Sequence, residues 1–134
     1  PTEPFAVTSY DLLRNTYQPL FDKYRINIVL QAHAHNYQRS YPILFNPISP
    51  SNPIITDNDT KTYHSSKGEI FLTIGTGGRS LDQFLANKPT YVVTEEDTQH
   101  GFLSLKFTNT ATSVRGAFYP NDSINPEDEF TIEK

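Results

Sequence analysis

The stretch Ile26-Asn27-Ile28-Val29-Leu30-Gln31-Ala32-His33-Ala34-His35-Asn36-Tyr37-Gln38-Arg39 sets two imidazoles, one residue apart, just after an apolar run. Residues 26–31 read as a buried strand, and the histidines as the loop at its carboxyl end. Ligands in open α/β sheets bind beyond the carboxyl ends of strands. Neutral imidazole is the commonest protein ligand for transition metals. Side chains at i and i+2 of an extended backbone point the same way. His33 and His35 are therefore expected to ligate a metal. A complete site needs three or four protein donors. His64, in a polar loop, is expected to be solvated, and His100, before Gly101, to hydrogen-bond structurally. A cupin-like single-metal protein would want a carboxylate three or four residues after the second histidine, where Gln38 and Arg39 stand instead.

Working outward, residues 9–24 carry Leu12, Leu13, Thr16, Tyr17, Leu20, Phe21 and Tyr24 at helical spacing. Thr8 or Ser9 is the expected N-cap, and Pro19 predicts a kink or two short helices. Residues 41–45 read as a short strand. Residues 46–67, with Pro47, Pro50 and Pro53, predict a long irregular loop. Strands are expected over 69–74, 91–94, 102–107, 113–119 and 129–132, with a turn at Asn109-Thr110 and a helical turn over 81–86. The acidic Glu95-Glu96-Asp97 reads as a solvated loop. Gly75-Thr76-Gly77-Gly78-Arg79 lacks the spacing and lysine of a P-loop, so a tight turn is the favoured reading. A phosphate-near role for Gly77, Gly78 and Arg79 remains open. Asn58 and Asn121 open glycosylation triplets.

Composition bounds the rest. The chain has 134 residues, the size of one domain, and its nine Phe and eight Tyr favour sheet. A net charge of −4 gives no general attraction for nucleic acid or anionic membrane, and no apolar run reaches transmembrane length. The lack of cysteine excludes disulfides and zinc-thiolate sites. With no methionine and a start at Pro1, a piece of a longer protein is expected. An aromatic-rich, non-catalytic extracellular binding module is the competing reading.

The residues also resemble a family. Leu20-Phe21-Asp22-Lys23-Tyr24, the strand, then Ala32-His33-Ala34-His35-Asn36-Tyr37-Gln38-Arg39 are similar to the calcineurin-like metallophosphoesterases, most closely their purple acid phosphatase branch. Residues 69–78, His100-Gly101-Phe102, the hairpin ending at Tyr119 and Asp128-Glu129-Phe130 follow in the family's order. Ala32 stands where the motif has glycine, and Gln38 where it has glutamate.

The resemblance implies an α/β (α+β) fold, the C-terminal half of a metallophosphoesterase sandwich. It would comprise one helical segment followed by a largely antiparallel sheet, all within residues 1–134. The parts would be residues 9–45 (helix, strand and histidine loop), 46–67 (polar loop) and 68–134 (β-rich). It implies two transition-metal ions in the parent, iron with zinc, manganese or iron, acting on a phosphate ester. His33 would hold the divalent ion and His35 the other, with Tyr37 and Arg39 bracing the loop. The remaining ligands would lie on motifs that this chain lacks, so it is expected to be inactive alone. Its partner would be the missing N-terminal half or a second copy in a homodimer. A secreted or extracytoplasmic location follows from the resemblance only.

Overall fold

The computed structural model describes residues 7–64, 67–84, 87–108 and 112–134, with the side chains of residues 7–11 outside the description. The elements run α1 (Val7–Tyr24), β1 (Ile28–Gln31), β2 (Tyr37–Ser40), β3 (Ile43–Leu44), β4 (Ile54–Ile55), β5 (Thr62–His64), β6 (Ile70–Ile74), β7 (Val92–Glu96), β8 (Gly101–Phe107), β9 (Ser113–Pro120) and β10 (Asp128–Glu133). The expected α/β composition is present, with one helix followed by strands paired mostly antiparallel.

Helix α1 runs through Pro19 as a single 18-residue helix, in place of the expected pair of short helices. A proline removes one intrahelical bond, to the carbonyl four residues back. That carbonyl belongs to Asn15, which is exposed, so water can take the place of the lost donor. Thr8 and Ser9 lie inside the helix and so do not cap it. The helix closes with the Arg25 N–H on the Asp22 carbonyl (3.2 Å) and the Ile26 N–H on the Phe21 carbonyl (3.0 Å). Arg25 sits at φ 53°, the left-handed turn that ends many helices and that glycine usually fills.

Two four-stranded sheets form the body. The first has the order β1-β6-β2-β7, with β1 parallel to β6 and the other pairs antiparallel. The second has the order β5-β10-β9-β8, with β5 parallel to β10 and the rest antiparallel. Strands β3 and β4 make a small ribbon. Side chains alternate across a strand, so each face of the first sheet has its own set. Tyr37, Ile70 and Leu72 meet Tyr63, Phe118, Phe130 and Ile132 of the second sheet in one core. Tyr37 and Phe118 stack at 4.1 Å between ring centres. On the opposite face Phe71 meets Phe21 of α1 at 6.2 Å. The molecule is thus layered as helix, sheet, sheet.

Several expectations change here. The strand read over 26–31 is shorter and not buried: β1 is an edge strand, and Leu30 is 56% exposed. The strand read over 41–45 shrinks to β3, and β2 lies before it, in the stretch read as the histidine loop. The polar loop over 46–67 holds β4 and β5, because each finds a partner far along the chain or across a turn. Residues 81–84 are irregular instead of helical, and 85–86 lie outside the described residues, as does the turn at 109–110. Glu95 and Glu96 belong to β7 and are half-buried. The apolar stripe of α1 is largely uncovered, with Leu12 66% and Tyr24 67% exposed. No helix among the described residues is long and apolar enough to cross a membrane.

Candidate metal-ligating loop

Strand β1 stops at Gln31, β2 begins at Tyr37, and the five residues between carry both histidines. The backbone turns at His33, which has φ 90°; Ala32, in the place of the motif glycine, is spared a positive φ. A bulky side chain there is uncommon and costs strain, which persists only where the surroundings hold it.

The surroundings do hold it. The Gly75 N–H donates to the Asn36 carbonyl (3.0 Å), so the end of β6 is tied to the loop. The Asp82 N–H donates to the His35 carbonyl (2.9 Å), and the His35 N–H donates back to Asp82 Oδ2 (2.9 Å). The Asn36 side-chain amide reaches the Asp82 carbonyl at 3.4 Å. His35 Nδ1 lies 3.5 Å from the same Asp82 carboxylate oxygen. Sequence reading missed Asp82, because nothing in the local pattern of residues 81–84 marks an aspartate that a separate loop will need.

His33, His35 and Asp82 line one open cavity of about 1100 Å³ between α1 and the first sheet. Gln31, Gln38 and Thr73 add polar atoms to its wall, and Tyr17 and Phe21 of α1 add apolar ones. Gln38, the departure from the family's glutamate, is buried and donates to Asn36 Oδ1 at 2.8 Å, which steadies the loop without a charge.

Tyr37 and Arg39 face the other way. Arg39, 1% exposed, grips Asp128 through Nε (2.6 Å) and an Nη (2.7 Å). Its other contacts are the Tyr63 hydroxyl (2.5 Å), the Thr60 carbonyl (3.0 Å) and the Phe130 ring at 4.9 Å. The Tyr37 hydroxyl donates to Asp128 Oδ2 at 2.7 Å. Burial opposes the Arg39 charge, but the bonds and charge of Asp128 outweigh it and raise the guanidinium pKa. Burial, then Asp128, raises the Tyr37 hydroxyl, and burial pushes Tyr63 up to about 12. The pair therefore steadies the strand after the loop by clamping the two sheets together.

The remaining residues separate from the site. His64 is exposed beside Glu133 at 3.0 Å. His100 Nε2 bonds the Arg79 carbonyl at 2.9 Å, a structural contact. Gly77, Gly78 and Arg79 are exposed, and none of them is among the residues that line the cavity. Asp97 accepts the Phe84 N–H at 2.7 Å, and Glu96 accepts three donors from Thr98 and Gln99, so the acidic patch serves as turn caps.

The donor chemistry suits a nitrogen-loving transition metal, but the set is not closed. Among the described residues no three His, Asp or Glu side chains are grouped to hold a metal ion. No reaction step can be drawn through a metal from these residues alone.

Comparison with known proteins narrows what a layered helix-sheet-sheet unit with a His-x-His loop at a strand end belongs to. No family model matches. A probable inactive purple acid phosphatase 27 of Arabidopsis thaliana is 32% identical over 121 residues, 89% of this chain and 18% of that protein. The Fe(3+)-Zn(2+) purple acid phosphatase 12 of the same plant is 30% identical over 103 residues, 72% of this chain and 20% of that protein. The solved purple acid phosphatase PPD1 from yellow lupin (Lupinus luteus) seeds matches with a TM-score of 0.75 and 27% identity, over 87% of this chain and 19% of that one. The chain is a purple acid phosphatase homologue that matches the C-terminal part of that fold. It spans about a fifth of the length of these relatives.

Proposed function

We propose that this chain supplies one corner of a dinuclear-metal centre in an acid-phosphatase-like phosphoesterase, and that it does not turn over substrate by itself. The observation that carries the reading is the loop: two imidazoles beyond the end of β1, pinned by Asp82 and Gly75, on the wall of a large open cavity. His33 and His35 would each hold one metal, and Asp82 would fix the orientation of His35, as carboxylates behind ligating histidines do. The metals would supply Lewis acidity toward a phosphate ester. Iron with zinc is the pair named for one relative, and it is the pair proposed here.

The exposed faces support a partner. Leu12, Leu13, Tyr17, Leu20 and Tyr24 of α1 are exposed, and β1 has a free edge. We assign this surface to the upstream half of the same domain, which would bring the missing ligands. A homodimer is the alternative, and the two differ in size-exclusion mass. The resemblance also carries the proposal of a secreted or extracytoplasmic location.

A second reading has its own support, since three of the relatives are named as probably inactive. In that case the longer protein would keep the fold and lose the chemistry. Hydrolysis of p-nitrophenyl phosphate by the longer protein and by the 134-residue chain, each with Fe, Zn or Mn, separates the readings. The longer protein is expected to turn over, to lose activity when His33 and His35 become Ala, and the chain alone to show none. Turnover by the chain alone would refute its dependence on outside ligands. Turnover that survives loss of both histidines would refute the site. A longer protein silent with every metal would favour the second reading.

A further inference from the structure

The first residue before β6, Glu69, is 0% exposed, and neither of its carboxylate oxygens has a hydrogen-bond partner. A buried unpaired carboxylate is strongly disfavoured. Its backbone is fixed on both sides: the Glu69 N–H donates to the Ile43 carbonyl (3.1 Å), and the Ile43 N–H to the Glu69 carbonyl (3.0 Å). This bridge fixes the backbone from which the side chain projects. Beside it lies Asp22, in the last turn of α1. Asp22 Oδ2 accepts the Phe45 N–H at 3.1 Å, while its Oδ1 is buried and has no partner.

Both acids face a second cavity, of about 510 Å³, at the C-terminal end of α1 and away from the histidine loop. Its other titratable wall residues are Arg25, from the helix end, and Lys67, from the segment before β6. The β3 side contributes Leu44, which has no charge. Neither basic group makes an ion pair with Glu69 within 4.0 Å among the described residues. Of the three unpaired oxygens on these two neighbouring acids, one shared proton pairs two, one on each acid. A protonated Glu69 becomes the donor, and Asp22 the acceptor.

We propose that Asp22 and Glu69 share a proton and form an acid-dependent clasp that pins the C-terminal end of α1 to the first sheet. The clasp closes in acid and neutral solution and opens as alkali removes the proton. Two carboxylates then face each other with no cation between them. Because α1 is one wall of the larger cavity, the clasp also sets how firmly that wall stands. The proposal does not rest on the phosphoesterase reading.

Burial first, then the charge and hydrogen bond of Asp22, push the Glu69 carboxyl up to about 8. The folded chain therefore keeps a proton that the unfolded chain releases near the ordinary carboxylate range, about 4.3. Stability from this group is full below that range and falls as pH rises to about 8. One proton corresponds to a roughly tenfold change in the unfolding equilibrium per pH unit. Glu127 is pushed to about 7 by burial and by Glu96, so it adds a slope of its own. The test therefore compares wild type with Glu69→Gln instead of reading one profile.

Urea unfolding of the 134-residue chain from pH 4.5 to 9, followed by helical circular dichroism, is the experiment. The difference between wild type and Glu69→Gln is expected to change about tenfold per pH unit between about 5 and 8. Parallel profiles would overturn the clasp. If Glu69→Gln does not fold, the carboxyl carbon of Glu69 is followed by ¹³C NMR in wild type and in Asp22→Asn. It is expected to titrate well above the ordinary range in wild type and lower in Asp22→Asn, where the like charge is gone. An ordinary titration in wild type would overturn the proposal. So would Ca²⁺ at pH 8.5 restoring wild type but not Glu69→Gln, because the pair would then be a cation site.

Discussion

Arg39→Met is expected to cost about 3–5 kcal/mol and to leave little folded chain at 37 °C, because it strands a buried charge. Methionine matches much of the arginine's volume, so packing is not what is lost. What is lost is the bidentate grip on Asp128, the bond to Tyr63 and the bond to Thr60. Asp128 is 8% exposed and would keep only the Tyr37 hydroxyl among these donors. Replacing both partners, as in Arg39→Met with Asp128→Leu, removes the stranded charge and is expected to recover much of the loss. Urea unfolding of the two single variants and the double variant measures this coupling. A loss under about 1 kcal/mol for Arg39→Met would mean that the sheets are held by their apolar core without the clamp.

Gly75→Ala is expected to damage the histidine loop directly. A Cβ on Gly75 would lie 1.8 Å from the Ala34 carbonyl oxygen and 2.8 Å from the His35 Cα. Both are backbone atoms, so no side chain can rotate away. Either β6 or the loop must move, and the bond from the Gly75 N–H to the Asn36 carbonyl is the first casualty. Overpacking of this kind costs about 1–3 kcal/mol. Metal affinity should fall more than stability does, since a shift of an ångström at His35 spoils ligand geometry. Zinc binding and urea unfolding measured on the same variant separate the two effects. Unchanged zinc affinity would show that the loop does not depend on the close approach of Gly75.

The sequence showed the elements whose partners are near, or whose pattern is strong. Strands β8, β9 and β10 alternate apolar residues between turn signals, β6 is a nearly continuous apolar run, and all four are present. Strand β2 was hidden because Tyr37-Gln38-Arg39-Ser40 looks like a polar loop. It is buried throughout only because Asp128, 89 positions beyond Arg39, neutralises the arginine. Strand β5 was hidden in a Pro-rich and Asp-rich segment for the same reason, since its partner is β10 at the other end of the chain. The histidine pair was legible from its place after an apolar run. Asp82 and Glu69 were not, because an acid in a loop or at a strand start looks solvated until the fold places it.

Zinc titration of the 134-residue chain by calorimetry, beside the His33→Ala/His35→Ala double variant, tests the central claim most directly. Two imidazoles without further donors should bind zinc weakly, well short of the roughly 10–16 kcal/mol of a complete structural site. The double variant should bind none. Tight binding by the chain would contradict an incomplete centre, and binding unchanged in the double variant would contradict the placement of the metal at His33 and His35.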